Sequence, residues 1–139
     1  MKKILLFGTF DVVHAGHIHM FKEAKEYADR LIVAVARDVN VEKIKSVGAL
    51  HDEKERVDFL KHIDLIDRAV LGYKNDPYKI ISEVKPDIIG LGYDQKVFVD
   101  KLADAITEMN LKIQIVRLQP YQKDRFKSSK IKKYIERIV

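Results

Sequence analysis

Cysteine and tryptophan are both missing from this chain of 139 residues, and proline occurs only three times. Without a thiol there is no disulfide framework, no thiolate nucleophile and no cysteine-bound zinc, which fits a reducing interior. Long apolar runs are missing too. The N-terminal one reaches only from Ile4 to Phe7 before Gly8, far short of a secretory h-region or a spanning helix, so no membrane attachment is expected and the cytoplasm is the expected address. No internal repeat or low-complexity linker divides the sequence, so residues 1–139 are expected to form a single domain, long enough to bury about two-thirds of its unfolded surface. Three familiar signatures are lacking as well. No Gly-Lys-Ser/Thr run provides a Walker A loop, Gly90-Leu91-Gly92 is not followed by x-x-Gly as a dinucleotide fingerprint requires, and no G-x-S-x-G elbow offers a hydrolase serine.

What is present is charge, unevenly spread. Charged residues make up 34% of the chain, which points towards heat tolerance, and the net charge is +5. Residues 112–139 hold nine Lys+Arg against two Asp+Glu, while residues 1–111 are slightly acidic. A basic tail of this kind suits nucleic acid, a membrane surface or a phosphorylated small molecule, and charge alone does not choose among them.

Periodicity predicts alternating strands and helices. Apolar runs at 4–7, 30–36, 69–73, 88–92 and 112–118 read as strands; amphipathic spacing at 14–29, from 51–56 to about 62, 78–84, 97–109 and 128–138 reads as helices. Residues 39–50 read as a mobile polar connection with at most one helical turn, and Asn75-Asp76-Pro77 as a helix-initiating turn with Pro77 in the first helical position. The alternation predicts a doubly wound, Rossmann-like α/β fold: five parallel strands in the order 3-2-1-4-5, with helices on both faces. In that order a ligand crevice opens between the C-terminal ends of strands one and four, which sets Asp94 opposite the turn after strand one.

That turn carries the chemistry. In Gly8-Thr9-Phe10-Asp11-Val12-Val13-His14-Ala15-Gly16-His17, a glycine ends a buried strand and two imidazoles follow at i, i+3, pointing the same way from a helix start. Gly16 allows close approach to the backbone, and Thr9 adds a hydroxyl near unpaired helix N–H groups that favour an anion. A phosphate chain suits this arrangement, and a bound polyphosphate should favour protonated imidazoles. A metal site from His14, His17 and His19 is disfavoured because His19 lies on another helix face, so no protein metal ligands are expected. Ser128 and Ser129, between Lys127 and Lys130, form a second hydroxyl-bearing helix start. Tyr121 and Arg125 precede it as candidates to stack on or clamp a nucleotide, and Arg37, Lys45 and Arg56 are candidate seats for an acceptor's phosphate.

Gly8 to Asp11 with His14 to His17 resembles the GTFD..HxGH signature of the nucleotidyltransferase superfamily that includes the cytidylyltransferases. The resemblance implies that His14 and His17 contact a triphosphate and stabilise the pentacoordinate transition state, with Thr9, Phe10, Ala15 and Gly16 beside them and Asp94 on the ribose or base. It also implies that Ser128 and Ser129 close over the phosphates, within a basic lid at about 119–139. Val35-Ala36-Arg37-Asp38, Ala69-Val70-Leu71-Gly72 and Pro86 to Gln95 resemble the archaeal-type FAD synthetases across nearly the whole chain. Those transfer AMP from ATP to FMN with a divalent metal, Mg2+ by expectation, and a homodimer is implied. A flavin plate would want aromatic walls, for which Tyr73, Tyr93, Tyr121 and Phe126 are candidates. Glycerol-3-phosphate cytidylyltransferases share the first motif, but residues 123–130 do not reproduce their closing motif. An ADP-sugar-forming adenylyltransferase and a non-catalytic basic nucleotide- or RNA-binding module are the remaining alternatives, although no nucleic-acid partner is expected.

Overall fold

The computed structural model describes residues 1–45, 48–92, 95 and 101–119, with the backbone alone at 43–45. Along the chain lie β1 (Lys3–Gly8), α1 (Ala15–Tyr27), β2 (Arg30–Val35), α2 (Asp38–Lys45), α3 (Glu53–Lys61), β3 (Arg68–Leu71), α4 (Lys79–Val84), β4 (Ile88–Leu91), α5 (Leu102–Glu108) and β5 (Gln114–Arg117). All strand pairs are parallel and the order is β3-β2-β1-β4-β5, as the alternation predicts.

Strand side chains alternate between two cores. Ile4, Leu6, Leu31, Val33 and Val35 pack with Phe21 and Ala24 of α1 and with Val57 and Leu60 of α3. Leu5, Ile32, Ala34 and Ile89 point the other way, to Ile80, Ile81 and Val84 of α4 and Leu102 and Ile106 of α5. The crossovers therefore change faces between β1 and β4. Those two strands approach closely there: a Cβ on Gly90 would lie 2.5 Å from the Leu6 side chain.

Aspartates close the N-terminal end of the sheet in one repeated pattern. The Lys2, Leu31 and Lys3 N–H groups donate to the carboxylates of Asp29, Asp67 and Asp87 at 3.0, 2.7 and 2.8 Å. Each aspartate's own N–H returns to a carbonyl of the same residue, Lys2, Leu31 or Lys3 respectively. Each of β2, β3 and β4 thus enters the sheet bracketed to its neighbour, which fixes parallel register with one side chain.

Two local expectations are corrected. Residues 38–45 form α2 where a loop was expected, because its N-terminus is capped from a distance: the Asp38 N–H donates to Glu53 Oε1 at 2.9 Å, and the Glu53 N–H donates to Asp38 Oδ2 at 3.1 Å. Pro77 lies outside α4, whose N-cap is Tyr78; Asp76 shapes that turn by accepting the Tyr78 N–H at 3.0 Å. The final predicted helix, 128–138, falls outside the described residues, as does the start of the helix expected from 97.

Candidate active site

β1 ends at Gly8, beside β4 at the C-terminal end of the sheet. Two residues later Phe10 takes φ = 53°, a left-handed conformation rare for a residue with a side chain. The turn folds its ring back: a Cβ on Gly8 would meet the Phe10 ring at 2.6 Å, so only glycine fits before it. Phe10 is 6% exposed, and its ring centroid lies 5.5 Å from that of His17 and 5.7 Å from that of Phe21.

The two histidines cap α1. His14 is the N-cap, in extended conformation, and His17 occupies the third helical position. The Gly16 N–H donates to His14 Nδ1 at 3.1 Å, and the His14 N–H donates to His17 Nδ1 at 3.2 Å. This is a capping box built from two imidazoles in place of the usual hydroxyl and carboxylate. Because each Nδ1 accepts, each neutral ring carries its proton on Nε2. The rings are stacked with centroids 4.0 Å apart. Burial, and secondarily the neighbouring His14, lowers the His17 pKa to about 4, and burial lowers that of His14 as well. In the free protein burial thus favours the neutral form of both rings, each with its proton on Nε2; the protonated imidazoles expected beside a bound polyphosphate concern the complex.

Thr9 lies in the same turn, and its carbonyl accepts from Arg56 Nη1 at 2.7 Å. Arg56 is itself a correction. It was expected at an acceptor's phosphate; its side chain is wholly buried, with four internal acceptors, and is not available to a ligand. Arg37 stands past the end of β2 and donates from Nε to Glu53 Oε2 at 2.9 Å and from Nη1 to the Gly72 carbonyl at 3.4 Å. The Arg37 hydrogen bond is the largest cause holding the Glu53 carboxyl below its ordinary range. Tyr73 is not a free aromatic plate: its hydroxyl donates to Glu83, Lys79 Nζ sits 4.7 Å from its ring centre, and it packs against the second core. Asp94, Tyr93, Tyr121, Arg125, Phe126, Ser128 and Ser129 lie outside the described residues, as does the Lys45 side chain.

Two residues at this end carry roles that sequence reasoning missed. Asp11, 6% exposed, accepts the Leu50 and His51 N–H groups at 2.7 and 2.8 Å, tying the motif turn to the approach of α3. His51 Nδ1 lies 2.9 Å from the Asp11 carbonyl and 3.3 Å from Oδ1, both acceptors, so Nδ1 is the protonated nitrogen. Gln95 bridges the ends of β4 and β1: its Nε2 donates to the Phe7 carbonyl at 2.7 Å, and its Oε1 accepts the Gly92 N–H at 2.8 Å. Arg117 braces that turn through the Gly92 and Gln95 carbonyls. Asp11 was visible as part of the motif, whereas nothing local in the sequence marks Gln95.

A parallel sheet with a face change between β1 and β4 defines a class of protein, the open α/β folds whose ligands bind at the switch point. Residues 5–134 match the family described as Cytidylyltransferase-like, and the chain belongs to that family. FAD synthase of Thermoplasma volcanium is 37% identical over 100% of this chain and 97% of its own length. FAD synthase of Pyrococcus horikoshii is 39% identical over 98% of this chain and 91% of its own. Among solved structures, the lipopolysaccharide core biosynthesis protein from Thermoplasma volcanium GSS1 superposes with a TM-score of 0.80 at 39% identity, covering 88% of this chain and 99% of that one.

Proposed function

We propose that this chain transfers AMP from ATP to FMN, yielding FAD and diphosphate. The observation that carries this reading is full-length similarity to archaeal FAD synthases at 37–40% identity. In the reaction a phosphate oxygen of FMN attacks the α-phosphorus of ATP in line. The new P–O bond forms as the bond to the bridging oxygen breaks, and diphosphate leaves with the electron pair. The protein's share is positioning and electrostatic stabilisation. His14 and His17 donate from Nε2 to phosphate oxygens, and the backbone N–H bonds to each Nδ1 hold them with little reorganisation as charge develops.

Thr9, Phe10, Ala15 and Gly16 complete the phosphate contact in this reading. Asp94 takes the ribose or base, and Tyr121, Ser128 and Ser129 close over the nucleotide from the basic segment at 119–139. The Gln119 N–H donates to Glu23 of α1 at 3.0 Å, which supports that closure because α1 is the helix the histidines open. Acceptor contacts are assigned to Arg37, Lys45 and Arg125; Arg37 would have to exchange Glu53 for the FMN phosphate. A divalent cation, Mg2+ by the resemblance, fits as a companion of ATP. Among the described residues no group of three or more His, Cys, Asp or Glu could hold it, and Mg2+ commonly takes substrate phosphates and water as ligands. It would neutralise triphosphate charge. The proposal includes a homodimer and a cytoplasmic address; among the described residues no helix is long and apolar enough to cross a membrane. Sedimentation of the purified chain tests the dimer.

The assay that tests the function offers ATP or CTP with Mg2+ to each of FMN, glycerol 3-phosphate and heptose 1-phosphate, and weighs the products. FAD from ATP and FMN is expected. An ADP-sugar without FAD would favour the second reading, for which the lipopolysaccharide core biosynthesis protein among its structural neighbours is the motive. CDP-glycerol without FAD would overturn the flavin assignment.

A further inference from the structure

Arg56 is the largest fully buried side chain among the described residues, 1% exposed. A guanidinium inside a protein is costly unless its fork of N–H groups is satisfied, so where it points shows what it is there to fix. One partner is a carboxylate, Asp38 Oδ1, reached by Nη2 at 2.7 Å. The others are main-chain carbonyls. Nη1 donates to Thr9 at 2.7 Å, Nη2 to Ala36 at 2.9 Å, and Nε to His51 at 3.2 Å. These belong to the motif turn, the residue after β2 and the approach to α3, so one planar group ties three backbone segments at the ligand end of the sheet. The Thr9 carbonyl immediately precedes the left-handed Phe10, whose ring stands edge-on to His17. Asp11 grips the same turn one residue further on, through the Leu50 and His51 N–H groups. A disfavoured backbone conformation persists only where its surroundings over-determine it, and α3 with the residues leading into it supplies that restraint.

We infer that Arg56 is a positioning residue for the adenylyl transfer: through the Thr9 carbonyl it holds Phe10 in its left-handed turn, and through Phe10 it sets the His14–His17 pair. This rests on the function proposed above, but the imidazole geometry can be read without turnover. Arg56→Lys keeps charge and length yet lacks the planar fork, so it can serve only part of the set. Leu60→Ala, in the same helix and fully buried but without a bond to the turn, is the control for packing lost in α3. Three measurements follow, all at a temperature where circular dichroism shows every variant folded.

Nitrogen chemical shifts of His14 and His17 report the tautomer and the Nδ1 acceptance, and should change in Arg56→Lys while remaining as in the parent in Leu60→Ala. In FAD synthesis, kcat of Arg56→Lys should fall by about 10-fold or more with KM for ATP changed less than about threefold, whereas Leu60→Ala should keep kcat within about twofold. Added guanidinium should restore part of the activity of Arg56→Ala, where it can refill the vacated space. The inference is overturned if both variants leave the histidine shifts as in the parent, or if Arg56→Lys and Leu60→Ala lose kcat equally. If the parent makes no FAD while the shifts respond as described, the positioning role stands and the acceptor assignment fails.

Discussion

One ring of His14 carries two functions, and chemistry allows them to be separated. Its Nδ1 caps α1 and its Nε2–H is the donor assigned to phosphate. Asparagine is among the best N-caps, so His14→Asn should keep stability within about 1 kcal/mol of the parent. Its kcat should fall by roughly 10² or more, the scale for losing one preorganised donor. His14→Ala should lose both, with a further destabilisation of about 1 kcal/mol. Urea unfolding beside steady-state FAD formation distinguishes the two, and a near-normal kcat in His14→Asn would remove His14 from the transition state. His17 has a pH consequence. It stays neutral in the folded protein down to about pH 4, whereas in the unfolded chain it takes a proton near ~6.5. Between those values the unfolded state binds more protons, so stability falls as pH drops from about 6.5 towards about 4. His17→Asn should flatten that part of the curve; an unchanged slope in urea titrations would show that the ring is not held neutral.

At the scale of the element, the readable features were those with local causes. The apolar runs of β1, β2 and β4 and the helix-start acids of α3 lie within the segments they form, and the structure follows them to within about two residues. α2 escaped because its cap, Glu53, stands 15 residues away and acts only once both helices exist. Arg56 read as a seat for an acceptor's phosphate for the same reason: its acceptors at Thr9 and Ala36 are 47 and 20 residues distant. The strand-opening aspartates are a third non-local device. Burial works against the charge of Asp67, but the hydrogen bonds from Lys25 and the Leu31 N–H outweigh it and hold its pKa below the ordinary carboxylate value. That stabilisation is present above ~3.9, the ordinary unfolded value, and is lost as pH falls through the lower folded value. Asp67→Ala should therefore cost roughly 1–2 kcal/mol at neutral pH. Its difference from the parent should shrink below about pH 4 in denaturant titrations, and a constant difference would assign the loss to packing instead.

Over the whole molecule, the strand order was legible because strand–helix alternation leaves few right-handed solutions, and the switch point between β1 and β4 follows from it. Which residues bridge that point was not legible, since Gln95 reaches a carbonyl 88 residues away. The two ends of the sheet also differ in kind. One is sealed by the Asp29, Asp67 and Asp87 brackets; the other carries the motif turn that follows β1. Breathing of the sheet should accordingly have a direction, opening from the end that carries the motif turn while the sealed end acts as the hinge. Amide exchange can see this. Lys3 and Leu31 are the first and second residues of their strands, where fraying normally makes exchange fast, yet their N–H groups should exchange as slowly as those at the centre of β1. In Asp87→Ala the Lys3 amide alone should speed up by about tenfold, and in Asp67→Ala the Leu31 amide alone, each the loss of about 1.4 kcal/mol of local protection.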